Sequence, residues 1–181
     1  FVKEKYQKYC SDPSFVDYFW TVRSMHAPVW MLAEIAENFI PVRAYHTVST
    51  GYAGLLGAIL KEKNNRPLIL SEHGIYTKER KIDLANAEWI KDNSDGQDGG
   101  LEQDVGYIRQ LWIRFFEGIG KATYASANPI ISLYEGNRRR QVQDGASSGR
   151  TRVIPNGVDV DRFSKLRAQR PRQVPKTIGL I

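Results

Sequence analysis

Near the start of the chain, apolar side chains recur at the spacing of a helix. Asp12 can cap such a helix, Pro13 suits its first position, and Phe15 and Phe19 follow on one side. A second helix start is predicted at Ala27-Pro28. Its broad apolar face would carry Trp30, Leu32, Ala33, Ile35 and Ala36. We expect the aromatic side chains of both segments to lie in the core.

The pattern then changes to strand, helix, strand. The β-rich segment Val42–Val48 leads through Ser-Thr-Gly into a compact helical segment, and the apolar run Leu68–Ser71 follows it. Two strands joined by one crossover helix form a βαβ unit. We therefore predict that these two strands are parallel neighbours in one sheet.

The rest of the chain continues this alternation. The sequence predicts a helix over Glu79–Lys91, a polar, glycine-rich loop over 92–100, and a long helix after it. One face of the long helix would carry Leu101, Val105, Ile108, Trp112, Phe115 and Ile119. The segments "NPIISLY" and "TRVIP" read as strands on either side of a short helix in "EGNRRRQVQDG". This order predicts an α/β fold with a Rossmann-like, doubly wound parallel sheet.

Composition narrows the classes of protein. With 181 residues, 41% of them hydrophobic and 25% charged, the chain can bury the core of one ordinary domain. Its longest apolar run is much shorter than the roughly 20 residues of a membrane-spanning helix. Cys10 is the single cysteine, which excludes an internal disulfide and favours a reducing compartment. The three histidines are too scattered to indicate a metal motif, so no metal is expected.

Charge is unevenly distributed. From Arg138 to Ile181 the chain has 11 Lys and Arg against 3 Asp and Glu, whereas the preceding part has 15 against 17. Such a basic segment suits an anionic partner, such as a phosphate, a nucleic acid or an acidic membrane surface. It equally suits a solvated helix face followed by a linker. No RNA- or DNA-binding motif accompanies the charge, so we do not expect a nucleic-acid partner.

Reactive side chains gather where the two βαβ strands end. Ligands of such sheets bind beyond the carboxyl ends of the strands, so both sets should face one crevice. A simpler interpretation is that Ser49 or Thr50 caps the next helix and that His73 is a packed structural residue. Glu72 and Glu79 are not expected to act as an acid/base pair, because their separation is not fixed by their spacing. The two sets are Thr47, Ser49, Thr50 and Gly51, and Glu72, His73 and Gly74.

Several motifs resemble one family of enzymes. The segment "RVIPNGVDVDRF" resembles the join between the two domains of retaining glycosyltransferases of family 4, which have the two-domain GT-B fold. The segments "DYFWTVRSMHAPVWMLAEI", "LSEHGIYTKERKIDL" and "ISLYEGNRRRQVQDGA" are similar to the PelF-type members, bacterial enzymes that build the Pel exopolysaccharide of biofilms. Together these stretches extend from about Asp17 to Phe163.

The resemblance implies a function. Similar enzymes transfer a hexose or N-acetylhexosamine from a UDP-sugar to a growing glycan with retention of configuration, and they need no metal or other cofactor. Their N-terminal domain mainly receives the acceptor, and their C-terminal domain holds the nucleotide and a pair of glutamates. His73 occupies the position of a histidine that contacts the donor sugar. The substrate-binding residues expected with it are Thr47, Ser49, Thr50, Gly51, Glu72, Gly74, Tyr76, Lys78, Arg80, Glu135, Arg138, Asn156 and Gly157.

The chain also departs from the family pattern. Neither the family's glycine-rich first turn nor its second domain is recognisable. We therefore expect residues 1–163 to be the later part of an acceptor-side domain, and 164–181 to be a linker and the first strand of a second domain. The chain alone should be inactive. The expected location is the cytoplasm, peripherally at the inner membrane with exopolysaccharide synthesis proteins. A non-catalytic, Rossmann-like module that binds a nucleotide or glycan is the alternative.

Overall fold

The structure is a computed structural model that describes residues 1–10, 14–90 and 106–167, the last three of them by backbone only. Its helices and strands alternate along most of the chain. In chain order they are α1 (Val2–Tyr9), α2 (Phe15–Glu37), β1 (Tyr45–Thr47), α3 (Tyr52–Asn64), β2 (Leu68–Glu72), α4 (Tyr76–Ala85), α5 (Tyr107–Ser126), β3 (Ile130–Ser132), α6 (Glu135–Gln143), β4 (Thr151–Val153) and α7 (Val160–Arg167).

The four strands form one parallel sheet in the order β1-β2-β3-β4. Tyr45 pairs with Leu68, which confirms the predicted parallel pairing of the first two strands. Leu70 pairs with Ile130 and continues the sheet to β3. β1 is shorter than the predicted Val42–Val48 and begins only at Tyr45. The predicted Rossmann-like α/β fold is confirmed.

One face of the sheet is covered by helices. Leu68, Leu70 and Glu72 of β2 are buried on this face, whereas the intervening Ile69 and Ser71 are only half-buried. The covering is close, because α3 has a glycine against Leu68: a Cβ on Gly57 would lie 2.7 Å from that leucine's Cδ1. The strands therefore have a fixed covered face, and all four end at the same edge of the sheet.

Two apolar clusters make up the core. The first lies between sheet and helices and includes Leu68, Leu70, Ile130 and Tyr124. The second lies within the helical layer and joins the start of α2, the end of α4 and one side of α5. Its buried members are Tyr18, Leu84, Ile90, Ile108, Ile113, Phe116 and Ile119. The second cluster holds α4 and α5 beside the carboxyl edge of the sheet.

The predicted helix start at Ala27-Pro28 is wrong, since α2 continues through Pro28 without a break. Proline removes one helical hydrogen bond, but tertiary packing compensates because buried side chains, Met25 and Ala36, lie on both sides of it. Ser14 caps the helix by accepting a hydrogen bond from the backbone N–H of Asp17 at 3.2 Å. The proposed cap, Asp12, and Pro13 lie outside the described residues.

The expectation that the aromatic side chains near the N-terminus lie in the core is also wrong for the largest of them. Trp20 is 54% exposed and Trp30 is 74% exposed. The reason is geometric: α2 is apolar on most of its circumference, and only one stripe of a helix can face its neighbours. The buried stripe carries Tyr18, Met25 and Ala36 instead.

Several boundaries differ from the predictions. α4 begins at Tyr76 rather than Glu79 and ends at Ala85, where the Asn86 side-chain amide donates to the carbonyl of Ile82 at 2.9 Å. In α5, Ile108 and Ile119 are buried, and Trp112 and Phe115 are half-buried, as predicted. Leu101, Val105, the loop over 92–100 and residues 168–181 lie outside the described residues. α7 crosses the predicted boundary at 163/164, and that boundary stays a prediction.

Candidate functional site

A cavity of about 310 Å³ opens at the carboxyl edge of the sheet, where β1 and β2 end. His73 is exposed in this cavity, and within the described residues its imidazole makes no hydrogen bond. The lining side chains supply a hydroxyl, an imidazole, a phenol and a carboxylate. They belong to Val48, Ser49, His73, Gly74, Tyr76 and Glu79.

The backbone of His73 is fixed by the neighbouring helix α6. Asn137, which is largely buried, donates a side-chain hydrogen bond of 2.9 Å to the carbonyl oxygen of His73. This bond ties the loop after β2 to the helix after β3. The imidazole therefore projects from a backbone that α6 holds in place.

Glu72, the residue before His73, ends β2 with a fully buried carboxylate that is 1% exposed. Tyr124 donates its hydroxyl to Oε2 at 2.7 Å, and the Gln141 amide donates to the same oxygen at 3.0 Å. The Thr50 hydroxyl donates to Oε1 at 3.2 Å. The backbone of Tyr76 also hydrogen-bonds this carboxyl group. A single buried carboxylate thus joins the loop before α3 to α4, α5 and α6 beneath the cavity.

The electrostatics of this network are dominated by burial. Burial raises the pKa of Glu72 above its ordinary 4.5, and the hydrogen bonds from Tyr124, Gln141, Thr50 and Tyr76 offset only part of that rise. Burial together with the adjacent Glu72 also raises the pKa of Tyr124 far above its ordinary value, so this tyrosine stays a donor. Both groups are inaccessible and support the site without contacting a ligand.

Two glycines allow the walls of the cavity to approach each other. A Cβ on Gly51 would lie 2.6 Å from Cε1 of Tyr76, so the ring of Tyr76 rests against the backbone at the start of α3. A Cβ on Gly74 would collide with Oε1 of Glu79. Larger residues at either position would displace a side chain that lines the cavity.

Glu79 is a lining residue that the sequence interpretation missed. It lies in the first turn of α4, and its carboxylate reaches back towards the loop at Gly74. An acidic residue in a first helical turn is a known signal, because it is stabilised there by the helix dipole and can reach the preceding backbone. The signal was obscured because the helix was predicted to begin at Glu79 itself.

The other predicted site residues fall into distinct groups. Thr47 and Thr50 are buried, and the hydroxyl of Thr47 donates to the carbonyl of Ser49 at 3.0 Å. The predicted caps are not found: α3 has Gly51 at its N-cap, and Ser49 Oγ accepts from the backbone N–H of Gly51 at 3.2 Å. Lys78 is exposed on α4 and does not line the cavity.

The charged residues predicted for the site make their contacts elsewhere. Arg80 stacks on the rings of Tyr76 and Phe116 and lies 3.7 Å from Asp83. Arg138 and Glu135 form an ion pair of 3.2 Å at the start of α6. Asn156 and Gly157 follow β4 in an exposed segment at the same edge of the sheet. None of these residues lines the cavity.

The other two histidines do not line the His73 cavity. His26 bonds the carbonyl of Val22 within its own helix at 2.7 Å. His46 lies 3.0 Å from the Ser71 hydroxyl, on the half-buried face of the sheet.

Among the described residues, no helix combines the length and apolar character needed to cross a membrane.

The lining groups suit a ligand that carries hydroxyl groups. They include the carboxylate of Glu79, and no lysine or arginine is among them. A phosphate would meet repulsion from that carboxylate, whereas sugar hydroxyls could donate to Glu79 and accept from Ser49, Tyr76 or His73.

One family of proteins matches most of the chain. A family model described as a domain of unknown function, DUF3492, matches residues 1–149. The chain belongs to the DUF3492 family. The DUF3492 match includes the first three strands and every residue that lines the His73 cavity, and it ends just before β4. No curated protein matches the chain.

Proposed function

We propose that the chain is the acceptor-side domain of a retaining glycosyltransferase of the PelF type. Such an enzyme would transfer a hexose or N-acetylhexosamine from a UDP-sugar to a growing exopolysaccharide. The observation that carries the proposal is the cavity around His73, in which an exposed imidazole stands among hydroxyl and carboxylate groups at the carboxyl edge of a parallel sheet.

The DUF3492 family is associated with glycosyltransferase-like proteins, which supports the coarser part of this proposal. The resemblance of "LSEHGIYTKERKIDL" and "RVIPNGVDVDRF" to PelF-type sequences supports the finer part. The lack of lysine and arginine in the lining of the cavity fits a domain that contacts sugar and leaves the diphosphate to another part of the enzyme.

The proposed role of His73 is a hydrogen bond to the donor sugar or to charge that develops at the reacting centre. Its backbone is anchored by Asn137 and by the buried Glu72 next to it, so the residue that carries the imidazole is in place before the ligand arrives. A donor fixed in this way stabilises a transition state without reorganising, and its loss typically costs on the order of 10²-fold in turnover.

The test is a transfer assay with the intact protein that contains this chain, using a panel of UDP-sugars. His73→Ala should lower turnover about 10²-fold while the melting temperature stays the same. His46→Ala is the matched control, because His46 is also exposed but lies on the other face of the sheet. Equal turnover of both variants, or equal loss of stability and activity in His73→Ala, would contradict the proposed role.

The assay also separates the enzyme from a non-catalytic binding module. Sugar or nucleotide binding without transfer from any UDP-sugar in the panel would favour the module. Transfer of a single sugar type would support the glycosyltransferase and identify its donor.

A further inference from the structure

A second cavity, of about 270 Å³, lies on the helical layer between the start of α2, the segment after α4 and the start of α5. We call it the tryptophan groove. Trp20 and Trp89 stand at its sides and are 54% and 64% exposed. Its lining residues are Asp17, Trp20, Thr21, Ser24, Trp89, Ile90, Ile108 and Trp112. Exposed tryptophans cost the protein solvation free energy, so a concave group of them indicates a ligand surface.

The segment that carries Trp89 is fixed to α5. Arg109 donates hydrogen bonds of 3.1 Å to the carbonyls of Ala87 and Ile90, on either side of Trp89. The Trp89 ring meets the Trp112 ring edge to face, with centroids 5.5 Å apart. This wall of the groove is therefore positioned by specific contacts.

The opposite wall is formed by α2. Trp20 packs edge to face on Phe19 at 5.7 Å, and the Arg23 guanidinium lies 5.3 Å from its ring. Asp17, Thr21 and Ser24 stand on the groove side of the same helix at helical spacing. The groove thus combines flat apolar rings with a carboxylate and two hydroxyls.

This combination matches the chemistry of a saccharide. A pyranose ring presents C–H groups on its faces, which pack on aromatic rings, and hydroxyls at its rim, which need hydrogen-bond partners. An apolar helix of a protein partner would take the hydroxyls of Thr21 and Ser24 out of water and offer them no hydrogen-bond groups, which costs free energy. The lining therefore favours a sugar over an apolar peptide.

The groove is connected to the His73 cavity by a row of aromatic rings. Tyr76, which lines that cavity, lies 6.2 Å from Phe116. Phe116 lies 6.2 Å from Trp112, with the two rings nearly parallel. Since α5 leads to the beginning of β3, its first turns lie towards the edge where the strands end. The two cavities therefore lie on the same end of the molecule.

We propose that the tryptophan groove binds a short neutral saccharide segment of the acceptor glycan, at a distance from the reacting sugar. The identity of this saccharide as the acceptor rests on the proposed function. Binding of saccharide in the groove is a separate claim and can be measured without transfer.

The test is a titration of the chain with oligomers of N-acetylglucosamine and of glucose, followed by tryptophan fluorescence and by NMR of the indole N–H signals. Trp20→Ala and Trp89→Ala should each weaken binding about tenfold, the loss expected from one ring contact. Trp30→Ala is the matched control, because Trp30 is exposed on the same helix but outside the groove. It should leave affinity unchanged.

Thr21→Val keeps the volume and the rings and removes one hydroxyl of the polar wall. It should weaken saccharide binding with an unchanged melting temperature, which separates recognition from loss of folding. No binding of either oligomer would overturn the proposal. Equal affinity of Trp20→Ala, Trp89→Ala and Trp30→Ala, or binding of an amphipathic peptide in place of saccharide, would overturn it as well.

Transfer assays with the intact protein distinguish the two proposals. Trp20→Ala should raise the KM for acceptor with kcat nearly unchanged, because the groove binds the acceptor equally in ground and transition states. Tryptophan-dependent saccharide binding without any transfer would leave the groove standing and remove the proposed function. Transfer that depends on His73 but not on Trp20 or Trp89 would leave the proposed function standing and overturn the assignment of the groove to the acceptor.

Discussion

The tryptophan groove and the hydrogen-bond network around Glu72, beneath His73, both depart from the usual distribution of side chains. They depart from it in opposite directions. Beneath His73, polar groups are buried: Glu72, Thr50 and Gln141 are essentially inaccessible. In the groove, large aromatic rings are exposed, as at Trp20 and Trp89. Most proteins bury rings and expose carboxylates, so each departure calls for a physical reason.

The buried polar network and the exposed tryptophan rings contribute differently to the stability of the fold. Glu72 is held by hydrogen bonds from Tyr124, Gln141 and Thr50, and these buried bonds fix the relative positions of the four side chains. The exposed rings of Trp20 and Trp89 instead give up favourable burial and contribute little to the fold. We therefore expect substitutions in the network to change stability, and substitutions of Trp20 or Trp89 to change binding.

The largest expected effect comes from Glu72→Ala. The change leaves the donors of Tyr124, Gln141 and Thr50 buried without an acceptor and opens a cavity. We expect a loss of at least about 3 kcal/mol in the free energy of unfolding. Urea denaturation measures it. A loss below about 1 kcal/mol would show that water or a rearranged neighbour replaces the carboxylate, and the comparison would fail.

Gly54→Ala should have the next largest effect. A Cβ at this position of α3 would lie 2.5 Å from the carbonyl oxygen of Ser49 and 2.6 Å from Oγ1 of Thr123. Because backbone cannot yield easily, we expect a loss of about 1–3 kcal/mol. The matched control is Gly118→Ala in α5, where a Cβ meets nothing within 4 Å. It should raise stability by up to about 1 kcal/mol through helix propensity. Equal melting temperatures of the two variants would contradict the close packing of α3 on α5.

The sheet could be predicted from the sequence because its signals are local. The run Leu68–Ser71 is apolar, a compact helix precedes it, and the crossover rule then requires parallel pairing with β1. The helical layer was harder to predict. Periodicity shows that α2 is apolar, but it cannot show which of its apolar stripes faces the core, so Trp20 and Trp30 were wrongly expected inside. Proline at position 28 was a local stop signal that tertiary packing overrode.

In the candidate site, too, only the features with a local sequence signal could be predicted. The position of His73 at a strand end follows from the crevice rule, and the structure places it in a cavity there. The burial of Glu72 and Thr50 could not be foreseen, because it depends on Tyr124 and Gln141, which lie 52 and 69 residues from Glu72 in the sequence. Contacts of that range carry no local signal.

The pH dependence of stability tests whether burial or hydrogen bonding dominates the free energy of the Glu72 carboxyl group. Burial raises the pKa of Glu72 above 4.5, so the folded chain binds this proton more tightly than the unfolded chain. Ionisation then costs the folded state free energy. Relative to Glu72→Gln, which does not titrate, the parent should lose stability as pH rises from 4.5 through the raised pKa, and the difference should then become constant. Denaturation of both proteins across this range measures it. A parent that gains stability relative to Glu72→Gln would mean that the hydrogen bonds outweigh burial.

The smallest effect on stability is expected for Trp20→Ala. Its ring is 54% exposed, and its contacts with Phe19 and Arg23 lie at the surface, so the loss should stay below about 1 kcal/mol. Two residues earlier in the same helix, Tyr18 is 6% exposed and packs on Tyr6 and Tyr107. Tyr18→Ala should therefore cost about 3–5 kcal/mol, as large-to-small changes in cores do. Melting temperatures of the two variants provide the comparison. If Trp20→Ala destabilised the chain as much as Tyr18→Ala, the Trp20 ring would be part of the core. Its exposure would then be no evidence that the groove binds a ligand.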